Sequence, residues 1–162
     1  RPRVRTAGGC YVLKYARVKK IQRDMWTEIP VGAILETIYY RYMYFQEDGR
    51  VLYALSPTPP NLMLPKMLRI CLQRLQNDPV AVWGTFHVQK NQLIVMAKQS
   101  WTNVKFELTI QQQSGYGKFG TLVLNRHFTS VSGSFDESWR SHDLVEYDVP
   151  SELFRFVSSS RL

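Results

Sequence analysis

The stretch YYRYMYFQEDGRVLYALSP, residues 39–57, decides the fold because its first strand carries large side chains on both faces. A half-buried strand alternates apolar and polar residues, since successive side chains point to opposite faces. Here the rings and other large side chains fall on both parities: Tyr39, Met43 and Phe45 on one, Tyr40, Tyr42 and Tyr44 on the other. The pattern predicts a strand with an apolar core on each side.

A turn follows this strand directly. Glu47-Asp48-Gly49 places Asp-Gly between two apolar runs, and Gly49 can take the positive φ that tight hairpin turns need. The sequence therefore predicts adjacent antiparallel strands at 36–46 and 50–56.

Short strand-like segments separated by turn residues continue along the chain. The clearest is VKFELTIQ at 104–111, which alternates strictly between apolar and polar positions. The predicted strands lie near 9–20, 36–46, 50–56, 81–89, 92–98, 104–111, 121–130, 143–149 and 153–158. A Lys90-Asn91 turn is expected between the fourth and the fifth.

One segment has helical period. NLMLPKMLRICLQRLQ at 61–76 places Leu64, Met67 or Leu68, Cys71 and Leu75 on one stripe. Asn61 is the expected cap, and Pro65 is tolerated only in a first turn. Laid across the hairpin that precedes it, this helix would cover the outer face of the Tyr-rich strand.

These elements predict an all-β, mainly antiparallel fold: a calycin- or lipocalin-like barrel of about eight or nine strands with one covering α-helix. No repeat or linker divides the chain, so residues 1–162 are predicted to form a single domain. The aromatic residues expected to fill the barrel interior are Phe45, Tyr53, Trp83, Phe86, Phe106, Phe128 and Phe156.

Composition narrows the class of protein. The 162 residues are 44% hydrophobic and 21% charged, as in a folded domain, and no apolar run is long enough for a transmembrane helix. Cys10 and Cys71 form no disulfide or metal pattern, which favours the cytosol or the nucleus. The net charge of +8 favours anionic partners, although the charge is dispersed and its densest pieces are 1–5 (RPRVR) and 14–23.

The sequence shows no catalytic constellation. His87, His127 and His142 lack metal-ligand spacing, and there is no nucleophile elbow, phosphate loop or dinucleotide fingerprint. Asp136-Glu137 and Glu146–Asp148 offer carboxylates, but nothing in the sequence pairs them at a cleft. We expect a non-catalytic domain without a metal or cofactor.

A binding role fits the residues better. Arg41 lies between Tyr39 and Met43 on an otherwise apolar face, where it either stacks on rings at a barrel mouth or anchors a partner's carboxylate or phosphate. The candidate partner- or ligand-binding residues are Arg41, Tyr40, Tyr42, Trp83, His87 and Trp139. Three kinds of binding remain open: a protein-recognition domain, a barrel for a small apolar ligand, and a basic domain for RNA or single-stranded DNA.

Several segments carry a family resemblance. RPRVRTAGGCYVLKYARVKK at 1–20, then Trp26 and YYRYMYFQEDGRVLYALSPTPP at 39–60, resemble the C-terminal domain of the F-box-only protein nine family, whose yeast members are the Hrt-three proteins. VWGTF at 82–86 and EYDVPSELFRFVSSSRL at 146–162 extend the likeness over nearly the whole chain. The hairpin with its Asp-Gly turn is the most specific part, and the loops at 22–33 and 112–120 match poorly.

The resemblance implies a role rather than a reaction. Such proteins are substrate receptors of Skp1–cullin–F-box ubiquitin ligases, in which a helical F-box binds Skp1 and the C-terminal domain recognises the protein to be ubiquitinated. No F-box-like helical segment occurs in this sequence, so that motif is expected upstream of Arg1. Skp1 and cullin would then be reached through that upstream F-box. A membrane partner is not expected, and nucleic acid is the least favoured partner.

Overall fold

The computed structural model describes residues 1–20, 34–113, 115–137 and 143–159. Nine strands and one helix follow in the predicted order. They are β1 Gly9–Lys20, β2 Ile34–Phe45, β3 Arg50–Ser56, α1 Pro60–Gln73, β4 Ala81–Gln89, β5 Gln92–Gln99, β6 Thr102–Gln111, β7 Thr121–Ser130, β8 Val145–Tyr147 and β9 Phe154–Ser158.

The strands form a closed antiparallel barrel. The order of neighbours is β6-β5-β4-β3-β2-β1-β9-β7, and a further pairing of β6 with β7 closes the ring of eight. The ninth strand, β8, adds to the edge of β7. The predicted mainly antiparallel barrel with one helix is confirmed. The likeness to calycins and lipocalins stays a prediction.

The β2–β3 hairpin forms as predicted. Tyr42 pairs with Ala54 and Phe45 with Val51, and Gly49 has φ of +90° in the turn. Asp48 stabilises the turn through Arg50, whose backbone N–H and Nε both donate to the carboxylate at 3.1 and 2.8 Å. The Lys90-Asn91 turn between β4 and β5 is also confirmed, with Lys90 at φ of +56°.

A core lies on each side of this hairpin, as its two-faced pattern predicts. The barrel core contains Tyr11, Leu13, Met43, Phe45, Tyr53 and Phe106, all fully buried. The outer core contains Tyr42, Tyr44 and Leu52 of the hairpin, together with Met63, Leu64, Met67 and Ile70 of α1. The helix therefore seals the outer face of the Tyr-rich strand.

Two predicted interior residues lie elsewhere. Trp83 packs against the outer core beside α1. Phe128 is buried on the outer side of β7, with Lys105 and Arg126 over its ring. Strand alternation predicts which residues share a face, but not which face is buried. At Trp83 and Phe128 the outer face of the strand is covered as well.

The helix also departs from its prediction at the start. It begins at Pro60, the cap position is Pro59 without a side-chain hydrogen bond, and Asn61 lies inside the helix. Pro65 falls in the second turn rather than the first. No helix in the described ranges is long and apolar enough to cross a membrane.

Strand β7 contains a β-bulge. Leu108 pairs with Leu124 and Glu107 with Arg126, so Asn125 is an extra residue. Beyond it the alternation changes phase, and His127 rather than Arg126 shares the interior face with Phe106.

Candidate functional site

The N-terminal segment lies against the end of the barrel where the β4–β5 turn and the β6–β7 connection meet. The Arg5 N–H donates to the Tyr11 hydroxyl at 2.9 Å, and that hydroxyl donates to the Phe119 carbonyl at 2.6 Å. Burial raises the pKa of Tyr11 to about 12, so the phenol keeps its proton and makes both bonds at neutral pH. The Arg5 guanidinium stacks 3.8 Å above the Phe156 ring. These contacts hold residues 1–5 in place.

A cleft of about 1350 Å³ opens beside this segment, and we call it the basic cleft. Its walls come from the N-terminal segment, the end of β4 with its turn, and the β6–β7 connection. The lining residues are Arg1, Pro2, Arg3, His87, Val88, Gln89, Lys90, Asn91, Gln112, Lys118 and Phe119. Among the described residues, four cations line the cleft and no aspartate or glutamate does.

The four cations of the basic cleft are not neutralised by ion pairs within the part of the chain that the structure describes. Lys118 lies 5.4 Å from the Phe119 ring centroid, which leaves its charge intact. A concave surface of one sign of charge concentrates the field and attracts the opposite charge. The cleft therefore presents a concave positive surface that can attract an anionic group.

His87 lines this cleft. The inward positions of β4 are the half-buried Phe86 and Val88, which pack against the barrel core, whereas His87 is exposed on the outer side. His87 therefore faces away from the barrel interior. It lines the cleft because it lies near the end of β4, beside the Lys90-Asn91 turn.

Arg41 lies inside the barrel and away from the basic cleft. Its side chain is 9% exposed, and Nη1 donates to the Tyr53 hydroxyl at 2.5 Å. The guanidinium carbon lies 5.6 and 5.4 Å from the ring centroids of Tyr15 and Phe106.

The other sequence-predicted site residues build the fold around α1. Tyr42 is fully buried, and its hydroxyl donates to the Thr58 carbonyl at 2.5 Å. Tyr40 stacks on Tyr42 with ring centroids 6.0 Å apart. Trp83 Nε1 donates to the Leu75 carbonyl at 2.9 Å, which ties the exit of the helix to β4. Trp139 lies outside the described residues.

The candidate residues therefore do not form one site. Tyr40, Tyr42 and Trp83 meet beside the helix, Arg41 is in the barrel, and His87 is at the basic cleft. The cleft cations Arg1, Arg3, Lys90 and Lys118 were not singled out as a site from the sequence. The basic density of residues 1–5 was the only signal, and it does not say which distant loops the fold brings beside it.

Two of the carboxylates noted in the sequence, Glu137 and Glu146, are engaged with a surface arginine. Arg126 contacts Glu137 at 2.7 Å and Glu146 at 2.8 Å, and lies 4.0 Å from Glu107. The hydrogen bond from Arg126 lowers the pKa of Glu146 below its usual range. Among the residues with described positions, no cluster of His, Cys, Asp and Glu could hold a metal.

The two cysteines are free. Burial raises the pKa of the Cys10 thiol far above its ordinary value and that of Cys71 to about 11. Both are protonated at neutral pH and behave as small core residues.

Comparison with known proteins identifies a family for this fold. The sequence model of the family described as F-box only protein C-terminal region matches residues 1–117, which include the N-terminal wall of the basic cleft, the β2–β3 hairpin and α1. No curated protein and no solved structure matches the chain. The protein therefore belongs to the family of F-box only protein C-terminal regions.

Proposed function

We propose that this domain recognises the substrate of a Skp1–cullin–F-box ubiquitin ligase, as part of the receptor subunit, and that the basic cleft holds an acidic segment of that substrate. The observation that supports the proposal is the cleft itself, about 1350 Å³ that the described residues line with four cations and no carboxylate, in a chain of this family. Its role is binding without catalysis, in the cytosol or the nucleus.

The chemistry of the cleft favours an extended acidic segment over an apolar one. Arg1 and Arg3 provide guanidinium forks for carboxylates, and Lys90 and Lys118 provide point charges from two different loops. Exposed pairs of opposite charge contribute little singly, so affinity must come from several contacts made together. Such binding weakens as salt screens the charges.

The cleft is tested with a short fluorescein-labelled peptide rich in Glu and Asp, measured by fluorescence anisotropy. The double variant Lys90→Glu with Lys118→Glu should lose binding by at least about tenfold, because it replaces two attractions by two repulsions. Lys14→Glu with Lys98→Glu changes the net charge equally at two exposed positions away from the cleft, and should keep most of the affinity.

Equal losses in the two double variants would refute the cleft as the site, since only net charge would then matter. So would tighter binding of single-stranded RNA than of the acidic peptide at the same salt concentration.

The ligase role is tested separately by Skp1 pull-down. Residues 1–162 alone should not retain Skp1, and the same domain joined to an F-box should. Stoichiometric capture of Skp1 by residues 1–162 would contradict the assignment of this domain to substrate recognition alone.

A further inference from the structure

In the described strands, the hydrogen-bonded wall of the barrel is interrupted next to β7. β9 pairs with β7 only at Thr121 and Leu122, and with β1 only over Gly9–Val12. Farther along, β8 pairs with β7 over His127–Thr129. In the described strands no ladder joins β8 to β1 beyond Val12. We call the gap between β8 and the second half of β1 the lateral seam.

Arg41 lies in the interior where this gap occurs. On β1, Tyr15 borders the lateral seam, and the Arg41 guanidinium carbon is 5.6 Å from its ring centroid. On the other side, β8 presents Tyr147, whose ring stacks on His127 with centroids 4.9 Å apart. His127 stacks in turn on Phe106, a second ring beneath the Arg41 guanidinium.

The charge of Arg41 is poorly compensated. Among the described side chains of residues 1–16, 37–113, 115–137 and 143–159, its buried Nε has no hydrogen-bond partner and no carboxylate pairs with the guanidinium. A guanidinium has five N–H donors, and a buried charge is costly unless it is paired. The Tyr53 hydroxyl and two ring faces offset only part of that cost.

The described side chains around Arg41 would not repel an anion. Tyr53 stays protonated because burial raises its pKa. Burial and the charge of Arg41 lower the pKa of His127 to about 4, so this imidazole is neutral at pH 7. Tyr15, Tyr39 and Leu55, all half-buried, lie beside Arg41 on the same side of the sheet. Among the described side chains, Arg41 is therefore a cation set mainly against neutral rings.

We propose that the lateral seam admits a small apolar carboxylic acid whose carboxylate pairs with Arg41 and whose body packs on the rings of Tyr15 and Tyr147. A carboxylate can accept two hydrogen bonds from a guanidinium, which supplies the partner that Nε lacks. The densely filled barrel core below Arg41 limits the ligand to a short acid with one ring or a short chain.

The first experiment measures melting temperature with two probes of the same shape. 3-Phenylpropionate should raise the melting temperature by about 5–10 °C at a hundredfold excess over its Kd, whereas uncharged 3-phenylpropanamide should not. Arg41→Met should abolish the response. Arg69→Met makes the same change on the exposed face of α1 and should leave it intact.

The second measurement keeps the proposal testable if Arg41→Met folds poorly. A bound carboxylate neutralises the field of Arg41, so the His127 pKa, followed by NMR, should rise when 3-phenylpropionate is added to the wild type. Arg41→Lys, which retains one charge but not the fork, should show a weaker response to the acid.

Three results would overturn the proposal. One is an unchanged melting temperature and His127 pKa in the wild type, as expected if an acidic group of the chain itself already pairs with Arg41. Another is equal stabilisation by the acid and the amide. The third is an undiminished response in a folded Arg41→Met variant.

Discussion

At the scale of single residues, Gly49 has a conformation that other residues rarely adopt. Its φ of +90° closes the β2–β3 turn. No atom would touch a Cβ placed there, so a side chain at this position would strain the backbone without clashing with its neighbours. Gly49→Val should lower the free energy of unfolding by about 1–3 kcal/mol, because a β-branched residue is strained at positive φ. Urea denaturation measures this.

Gly115 provides the matched control. It also has open space around its Cβ position but lacks a positive φ of this kind. Gly115→Val should therefore change stability by no more than about 0.5 kcal/mol. Equal losses at the two glycines would show that the turn conformation is not the cause.

His127 should make stability depend on pH. Its pKa in the folded protein is about 4, below the value of about 6.5 for an unfolded histidine. Between these values the unfolded state binds the proton more readily, so stability decreases as pH falls from 7 to 5, by about 1–2 kcal/mol. The measurement is urea denaturation at both pH values.

His127→Gln should remove most of this decrease, whereas His87→Gln, at an exposed position, should leave it unchanged. A wild-type protein equally stable at pH 7 and pH 5 would contradict the buried neutral imidazole. The histidine was visible in the sequence but its inward position was not, because the bulge at Asn125 shifts the alternation of β7.

At the scale of elements, α1 ends in a turn that its sequence does not favour. Arg74 has φ of +51°, and the Leu75 N–H donates to the Ile70 carbonyl at 3.0 Å, the hydrogen bond of a Schellman motif. Arg74→Gly should stabilise the protein by up to about 1 kcal/mol, because glycine adopts this conformation without strain.

A glycine introduced within the helix should instead lower the stability of the protein. Arg69→Gly, at an exposed position in α1, should destabilise by about 0.5–1 kcal/mol through lower helix propensity. Thermal unfolding of both variants checks the pair. Destabilisation by both changes would mean that the Arg74 side chain contributes more than its backbone strain costs.

The elements themselves were largely predictable because turns and alternation are local signals. The helix boundary was less so: Pro60 occupies the first helical position, where its missing N–H costs nothing, and this displaces Asn61 from the cap. The helix also ends at Gln73, so Leu75 lies beyond it and is 40% exposed, while Met63 and Ile70 take the buried positions.

At the scale of the whole molecule, the candidate sites were the least predictable part. The barrel follows from many short antiparallel strands, but the basic cleft depends on which loops meet at one end. Arg3, Lys90 and Lys118 come from three separate segments, and only closure of the barrel brings them together. Likewise, the sequence placed Arg41 on an apolar face, but the gap beside it arises because β8 and β9 share one edge of β7.

The two cores on either side of the β2–β3 hairpin should also slow the hydrogen exchange of its backbone amides. Its backbone amides are bonded to β1 on one side and β4 on the other, beneath side chains buried on both faces. In D₂O, the amides of Tyr42–Phe45 and Leu52–Tyr53 should be among the last to exchange, at rates set by global unfolding. The three residues of β8, exposed on the outer edge, should exchange first among the strands. Hydrogen-exchange NMR in the opposite order would mean that the domain opens at its centre.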